Sequence, residues 1–187
     1  MKPEVRWTHI PFAYWMDRVP KNVARLLDVG TGRGVIGAMS KIFLGIEADG
    51  IEIWKPYAEF CKKNKLYHAV ISENALTALK RMPSKSYDVI VCFETIEHWP
   101  KEEAWQVLEE MERVGKLVFL SSVNHYYNQP HYDGNPWQHH HSLITSREIE
   151  ARGYRVRGFG KRKDLFGSVF RTVLRHFSDG WFAWKTL

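Results

Sequence analysis

The sequence predicts a doubly wound α/β domain, with helices on both faces of a mostly parallel seven-stranded sheet. Three observations lead there. Short apolar runs alternate with helical stretches from residue 24 to about 122, the pattern of parallel βαβ units. The first run, Ala24 to Val29, meets closely spaced glycines, which reads as a buried strand ending in a tight turn. The length, 187 residues, suits one domain (1–187) and is short for two enzyme domains.

The elements follow in order. After the strand at 24–29, residues Val35 to Phe43 read as a helix, and Ala48 to Ile53 as the second strand. Pro56 suits the first turn of the next helix, which runs through Ala58, Phe60 and Cys61. Ala69 to Ile71 is a third strand. Tyr87 to Phe93, apolar throughout after Asp88, is the clearest strand. Ala104, Val107, Leu108 and Met111 give Lys101–Arg113 one apolar helical face. Leu117 to Leu120 is a fifth strand. Thr145 with Glu148 has the form of a capping box, and Gly153 suits the end of that short helix. Tyr154–Gly158 and Trp181–Trp184 read as the last two strands. In such sheets ligands bind beyond the C-terminal strand ends, where the strand order reverses.

Composition excludes other classes. A hydrophobic fraction of 44% with 26% charge is globular, not disordered. No apolar stretch approaches the roughly 18–20 residues of a membrane helix, and Met1–Trp7 lacks the apolar core of a signal peptide. No membrane association is therefore expected. Cys61 and Cys92 both sit inside apolar patterns, which fits a reducing, cytoplasmic setting. The net charge of +6 is concentrated: between residues 152 and 176 eight Arg and Lys face only Asp164, a local +7. That segment is either a solvated face or a surface for an acidic partner such as RNA.

The chemistry centres on Asp28-Val29-Gly30-Thr31-Gly32-Arg33-Gly34. Glycines there let the chain turn and let a ligand approach the backbone. The pattern G-x-G-x-x-G also occurs, at Gly32 to Gly37, and alone it is compatible with a nicotinamide dinucleotide. Asp28 and Arg33 argue against a pyrophosphate: the first adds negative charge and the second stands where a small residue is usual. Glu52, near the end of the second strand, can accept hydrogen bonds from two ribose hydroxyls. The alternatives are a structural role for Asp28 and a surface position for Glu52.

Together these residues resemble motif I of the class I S-adenosylmethionine-dependent methyltransferases. Gly50-Ile51-Glu52-Ile53 resembles that family's acidic second motif, and Tyr87–His98, with Glu94, Glu97 and His98, resembles its fourth-strand segment. The resemblance implies the family's sheet with an antiparallel last strand, and S-adenosylmethionine as cofactor with S-adenosylhomocysteine as product. It implies that Gly30, Thr31, Gly32 and Gly34 pass under the methionine part and that Asp28 helps hold its amino group. Glu52 would bind the ribose, Ile53 would pack on adenine, and Asn74-Ala75 would meet the adenine amino group, with Asn in place of the family's usual Asp. Glu94 would line the methyl-transfer site. Methyl transfer needs an aligned acceptor and, for a weakly basic acceptor, removal of a proton. His98, Glu94 and His140 are the candidates for that chemistry.

Residues 122–143 form a loop of about 20 residues, a length that is usually functional. It carries His125, Tyr126, Tyr127, His131, Tyr132, Trp137, His139, His140 and His141. Part of it, Asp133 to Ser142, resembles a segment that packs over the active site in small members of the family. The loop is read as a lid, and residues 1–23 as an N-terminal cap. Tyr14, Trp15, His125, Trp137 and His140 are the candidate acceptor contacts. No metal site is expected, since three consecutive histidines diverge and a further His such as His125 or His131 would be required. The expected acceptor is a small molecule methylated on oxygen or nitrogen. RNA or protein is the alternative through the basic region, and a non-catalytic cofactor-binding module is the competing class. A monomer or homodimer is expected.

Overall fold

The computed structural model describes residues 12–126, 129, 133–159, 176 and 179–187. The chain begins with α1 (Phe12–Met16) and β1 (Leu26–Val29), followed by α2 (Val35–Met39), β2 (Asp49–Ile51) and α3 (Lys55–Lys63). Then come β3 (Ala69–Ile71), α4 (Ala75–Lys80), β4 (Tyr87–Phe93), α5 (Lys101–Val114) and β5 (Gly115–Val123). The last elements are α6 (Ser146–Ala151), β6 (Arg155–Phe159) and β7 (Gly180–Thr186).

One seven-stranded sheet has the order β3-β2-β1-β4-β5-β7-β6. The pairs among β1 to β5 are parallel. β7 runs antiparallel between β5 and β6. Strand order reverses between β1 and β4, so the loops after these two strands diverge and leave a crevice.

Both faces of the sheet are covered, which is why its central strands are apolar on both sides. The alternation is plain in β4. Ile90 and Cys92 pack with Leu79, Leu108, Met111 and Ile149 of α4, α5 and α6. Val89, Val91 and Phe93 pack with Trp15, Ile36 and Cys61 of α1, α2 and α3. Asp28 alternates with Leu27 and Val29, which face the first of these cores. It is therefore turned toward the second, where it is 2% exposed.

β3 and β4 match the expected bounds, β1, β6 and β7 shift by one or two residues at their ends, and four further differences have local reasons. The helix after the glycine loop changes at Ser40 into a π-turn (Ser40–Leu44). There the Ser40 hydroxyl donates to the Ile36 carbonyl at 2.7 Å, a carbonyl that the Ser40 N–H also reaches. α4 has too few residues to show a clear period, yet Asn74 caps it through Thr77 N–H. β2 stops at Ile51, leaving Ile53 in the bend that follows. β5 runs on to Val123 because its end pairs with Gly180 and Trp181 of β7, so Ser122 and Val123 belong to the sheet rather than to the loop. At α6 the capping box is complete, with the Thr145 and Glu148 side chains each receiving the other's backbone N–H.

Candidate functional site

The crevice is built from the ends of β1 and β4. Gly30, at φ +84°, begins the turn after β1, and its N–H donates to the Ile51 carbonyl at 2.9 Å. A Cβ there would lie 2.3 Å from Thr95 Cγ2, in the segment after β4. Only glycine lets the two loops come this close. Gly32, at φ +51°, differs: a Cβ there would meet nothing within 4 Å. The loop thus presents bare backbone to open space, as a ligand cradle requires.

Glu52 holds this loop in shape. One carboxylate oxygen accepts Gly32 N–H at 2.8 Å and the other accepts Trp54 N–H at 2.9 Å. Thr31 Oγ1 lies 3.5 Å from the first. A carboxylate offers about four acceptor positions, so Glu52 keeps capacity for ribose hydroxyls. Its burial raises its pKa above the ordinary carboxylate value. Asp28 accepts the Tyr67 hydroxyl at 2.5 Å, and that hydroxyl accepts Gly37 N–H at 3.2 Å. Burial pushes the Asp28 carboxyl up to about 8, with Tyr67 opposing and Glu52 adding to the rise. A ligand ammonium beside it would restore its charge. Together these features fit S-adenosylmethionine: a cradle that a Cβ would fill, a ribose acceptor and a buried carboxylate for the amino group.

Asn74 has two partners. Its amide oxygen accepts Thr77 N–H at 3.2 Å, and its nitrogen donates to Glu103 at 3.0 Å. An Asp here would set two carboxylates against each other, which accounts for the amide. Ala75 follows it, buried at the start of α4.

A second group stands after β4. Glu94 has φ +48°, a left-handed backbone that is rare for a residue with a side chain. Its N–H donates to the Ser121 carbonyl at 3.0 Å and its carboxylate accepts the Ser121 hydroxyl at 2.8 Å. Glu97 is 1% exposed and accepts the Ser122 hydroxyl at 2.9 Å. Burial raises both carboxyls above the ordinary carboxylate range, and Glu97 adds repulsion at Glu94. The Glu97 carbonyl accepts His141 N–H at 2.9 Å and Ser142 N–H at 3.2 Å. These two bonds fix the segment of the long loop that carries His140. The His98 and His140 rings stand 5.1 Å apart, edge to face. Burial lowers the pKa of both, that of His140 to about 4, so both imidazoles are neutral at pH 7.

The structure therefore joins two sets of the expected residues. Asp28, Gly30, Thr31, Gly32, Gly34 and Glu52 gather around the first turn. Glu94, His98 and His140 gather after β4, with Glu97 between them. Trp15 is fully buried, with its edge toward Phe93, and Tyr14 lies beneath Arg157 and Arg18. His125 is exposed and Trp137 is half exposed, in a turn at Pro136–Gln138. Tyr127, His131, Tyr132 and most of the basic segment, including Lys161, Arg162, Lys163, Arg171 and Arg175, lie outside the described residues.

Three contributors were not among the candidate site residues. Tyr67 reaches Asp28 from the approach to β3. Glu97 stands inside the matched motif but shows its role only through burial. Asp133 accepts two bonds from the Arg33 guanidinium, at 2.5 and 3.0 Å, and one from the Tyr57 hydroxyl at 2.8 Å. It thereby fastens the long loop to the glycine turn.

Comparison with known proteins agrees with this architecture. A family model described as a methyltransferase domain matches residues 27–129, more than half of the chain. The chain is similar to the ubiquinone biosynthesis O-methyltransferase of Glaesserella parasuis, 26% identical over 107 residues, which cover 54% of this chain and 45% of that one. The corresponding protein of Leptothrix cholodnii is 33% identical over 110 residues, covering 54% and 44%. The chain thus spans under half the length of these curated relatives. Among solved structures, a SAM dependent methyltransferase from Archaeoglobus fulgidus shares the fold, with a TM-score of 0.68 at 17% identity over 94% of this chain and 92% of that one. With the matched segment running from β1 past β5 and the sheet order to go with it, the chain belongs to the methyltransferase domain family.

Proposed function

We propose that this chain transfers the methyl group of S-adenosylmethionine to an oxygen or nitrogen of a small molecule. The observation that carries the reading is the Glu52-braced turn, whose Gly32 faces open space at the point of strand reversal. Bound there, S-adenosylmethionine supplies a methyl on a sulfonium whose departure as a neutral thioether needs no acid.

The chain's own residues then have these tasks. Gly30, Thr31, Gly32 and Gly34 carry the methionine part, Asp28 takes the ammonium and Glu52 the ribose hydroxyls. Ile53, Asn74 and Ala75 flank the adenine. Glu94, His98 and His140 surround the acceptor, and a neutral imidazole among them is able to take its proton. The long loop that follows β5, with His125 and Trp137 at its surface, acts as the lid, and the described part of the N-terminal cap, with Tyr14 and Trp15, closes the other side. The names of the curated relatives, ubiquinone biosynthesis O-methyltransferases, favour an oxygen on a small molecule.

Two described residues of the basic segment have aromatic partners. Arg152 lies over Trp105 and Arg157 over Tyr14. No helix among the described residues is long and apolar enough to cross a membrane. With two buried free thiols the chain suits a reducing cytoplasm, as a monomer or homodimer.

Calorimetry with S-adenosylhomocysteine and with NAD tests the cofactor. Heat with the first and none with the second is expected, and the reverse would sink the proposal. A radiolabelled methyl-transfer screen against size-fractionated cell extract then finds the acceptor. Label in the low-mass fraction is expected. Label on RNA, with binding that weakens steeply with salt, would replace the small-molecule reading.

A further inference from the structure

The group after β4 has features that proton removal leaves unused. Glu97, His98 and His140 each offer one ligand atom, and these atoms all lie within 4.8 Å of one another. The His98 ring is oriented. Its Nδ1 lies 2.9 Å from the His139 carbonyl, which can only accept, and the ring also meets the backbone of Glu94; the tautomer protonated at Nδ1 offers the Nε2 lone pair to an ion. A backbone carbonyl that fixes the tautomer of a histidine is the usual outer partner of a metal-bound imidazole. The Glu97 carboxylate is steadied in the same way by the Ser122 hydroxyl at 2.9 Å. The third ligand comes from 42 positions along the chain, and its placement is enforced. His141 and Ser142 donate their N–H groups to the carbonyl of Glu97 itself, and the Tyr126 hydroxyl donates to the His140 carbonyl at 3.2 Å.

We propose that Glu97, His98 and His140 form a binding site for a divalent first-row transition ion such as Zn²⁺, Mn²⁺ or Co²⁺. Two imidazoles and one carboxylate suit those ions better than Ca²⁺ or Mg²⁺, which take oxygen ligands. Three protein ligands leave coordination positions open, the arrangement of a reactive rather than a structural site. The site adjoins the cradle, since Thr95, just before the turn Ile96–His98, packs on Gly30.

The purpose of the ion rests on the methyl-transfer reading. An acceptor hydroxyl oxygen takes an open position, the ion's charge makes it more acidic, and water carries off the proton. The oxygen then forms its bond to the methyl carbon while the carbon–sulfur bond breaks and its electron pair stays on sulfur. His98 and His140 on this view are ligands and not proton acceptors.

The test is calorimetry of Zn²⁺ on the full untagged chain after dialysis against chelator, without cofactor or acceptor. One ion per chain is expected, with binding at least about tenfold weaker in His98→Ala, His140→Ala and Glu97→Gln. His141→Ala, exposed beside the site, should bind as the parent does. Circular dichroism establishes that each variant is folded. Where one is not, the parent chain loaded with Co²⁺ decides, because a four- or five-coordinate site with imidazole ligands gives Co²⁺ visible bands that are stronger than those of the aquo ion and shifted from them. Absence of stoichiometric binding in the parent chain overturns the proposal. So does binding that is lost in His141→Ala but kept in His98→Ala, which would mark a surface histidine pair. Parallel titration with S-adenosylhomocysteine separates the two readings. Heat with S-adenosylhomocysteine and none with Zn²⁺ removes the metal alone, and the opposite removes the methyl-transfer reading alone.

Discussion

Gly30 and Gly32 are two residues apart in one turn, and alanine should affect them in opposite ways. Both hold positive φ, +84° and +51°, so alanine costs each about 1–2 kcal/mol of backbone strain. Gly30→Ala adds a collision, since its methyl would fall 2.3 Å from Thr95 Cγ2 and 2.6 Å from Oγ1. Overpacking of that kind costs about 1–3 kcal/mol more. For a chain of this size each kcal/mol lowers the melting temperature by roughly 2–4 °C. Gly30→Ala should therefore melt roughly 4–20 °C lower and Gly32→Ala roughly 2–8 °C lower. The order reverses for the ligand. The new methyl at Gly32 has nothing within 4 Å and occupies the space assigned to the cofactor. A loss of about 1–3 kcal/mol, roughly 5- to 150-fold in the affinity for S-adenosylhomocysteine, is expected. Differential scanning fluorimetry reads the first effect and calorimetry at a temperature well below both transitions reads the second. A Gly32→Ala chain that binds S-adenosylhomocysteine as tightly as the parent would refute the placement of the cradle.

Three further outcomes follow from the same geometry. The Asp28 carboxyl, raised to about 8 from 3.8 and faced by Tyr67, Glu52 and Cys61, keeps a proton that the unfolded chain loses. Its contribution to stability therefore falls as pH rises between those values and is level above about 8. Affinity for the ammonium of S-adenosylhomocysteine should rise about tenfold per pH unit from pH 6 toward 8, and a flat profile by calorimetry would exclude Asp28. Asp133→Ala removes partners of Arg33 and Tyr57 that are partly solvated, so the melting temperature should shift by only about 1–3 °C. S-adenosylhomocysteine should nevertheless dissociate several-fold faster by surface plasmon resonance, and an unchanged rate would mean that the loop does not retain it. Thr145→Ala breaks the capping box of α6 and should cost about 1 kcal/mol, read in urea denaturation. Thr145→Ser should cost little, and equal losses would point to packing rather than the cap.

What the sequence disclosed was mostly local. The strand from Tyr87 to Phe93 was visible because burial on both faces demands an unbroken apolar run. The capping box was visible because its parts lie three residues apart. The glycine turn and Glu52 were visible because the backbone conformation and the chemistry each restrict the residue type. The remainder depends on topology. Nothing near Tyr67 signals that its hydroxyl meets a carboxylate 39 residues earlier, and Asp133 looks like an ordinary turn residue until the fold sets it against Arg33. Likewise Glu97 and His140 come together only because β4 and β5 are neighbours whose following loops cross the same edge. The π-turn at Ser40 was hidden for another reason: Ser40 to Leu44 has the composition of an ordinary helix.

The bond between Arg33 and Asp133 joins positions 100 residues apart. It makes the glycine turn and the long loop parts of one mechanical unit. A change in the loop that displaces Asp133 is felt in the turn, even when it lies far from the turn in sequence. Exchange of this loop between related proteins, by evolution or by an engineer, therefore transplants more than a surface. A graft that leaves out an acidic residue to meet Arg33 would alter how the turn is held while leaving every residue of the turn in place. Loop and turn have to be chosen as a pair.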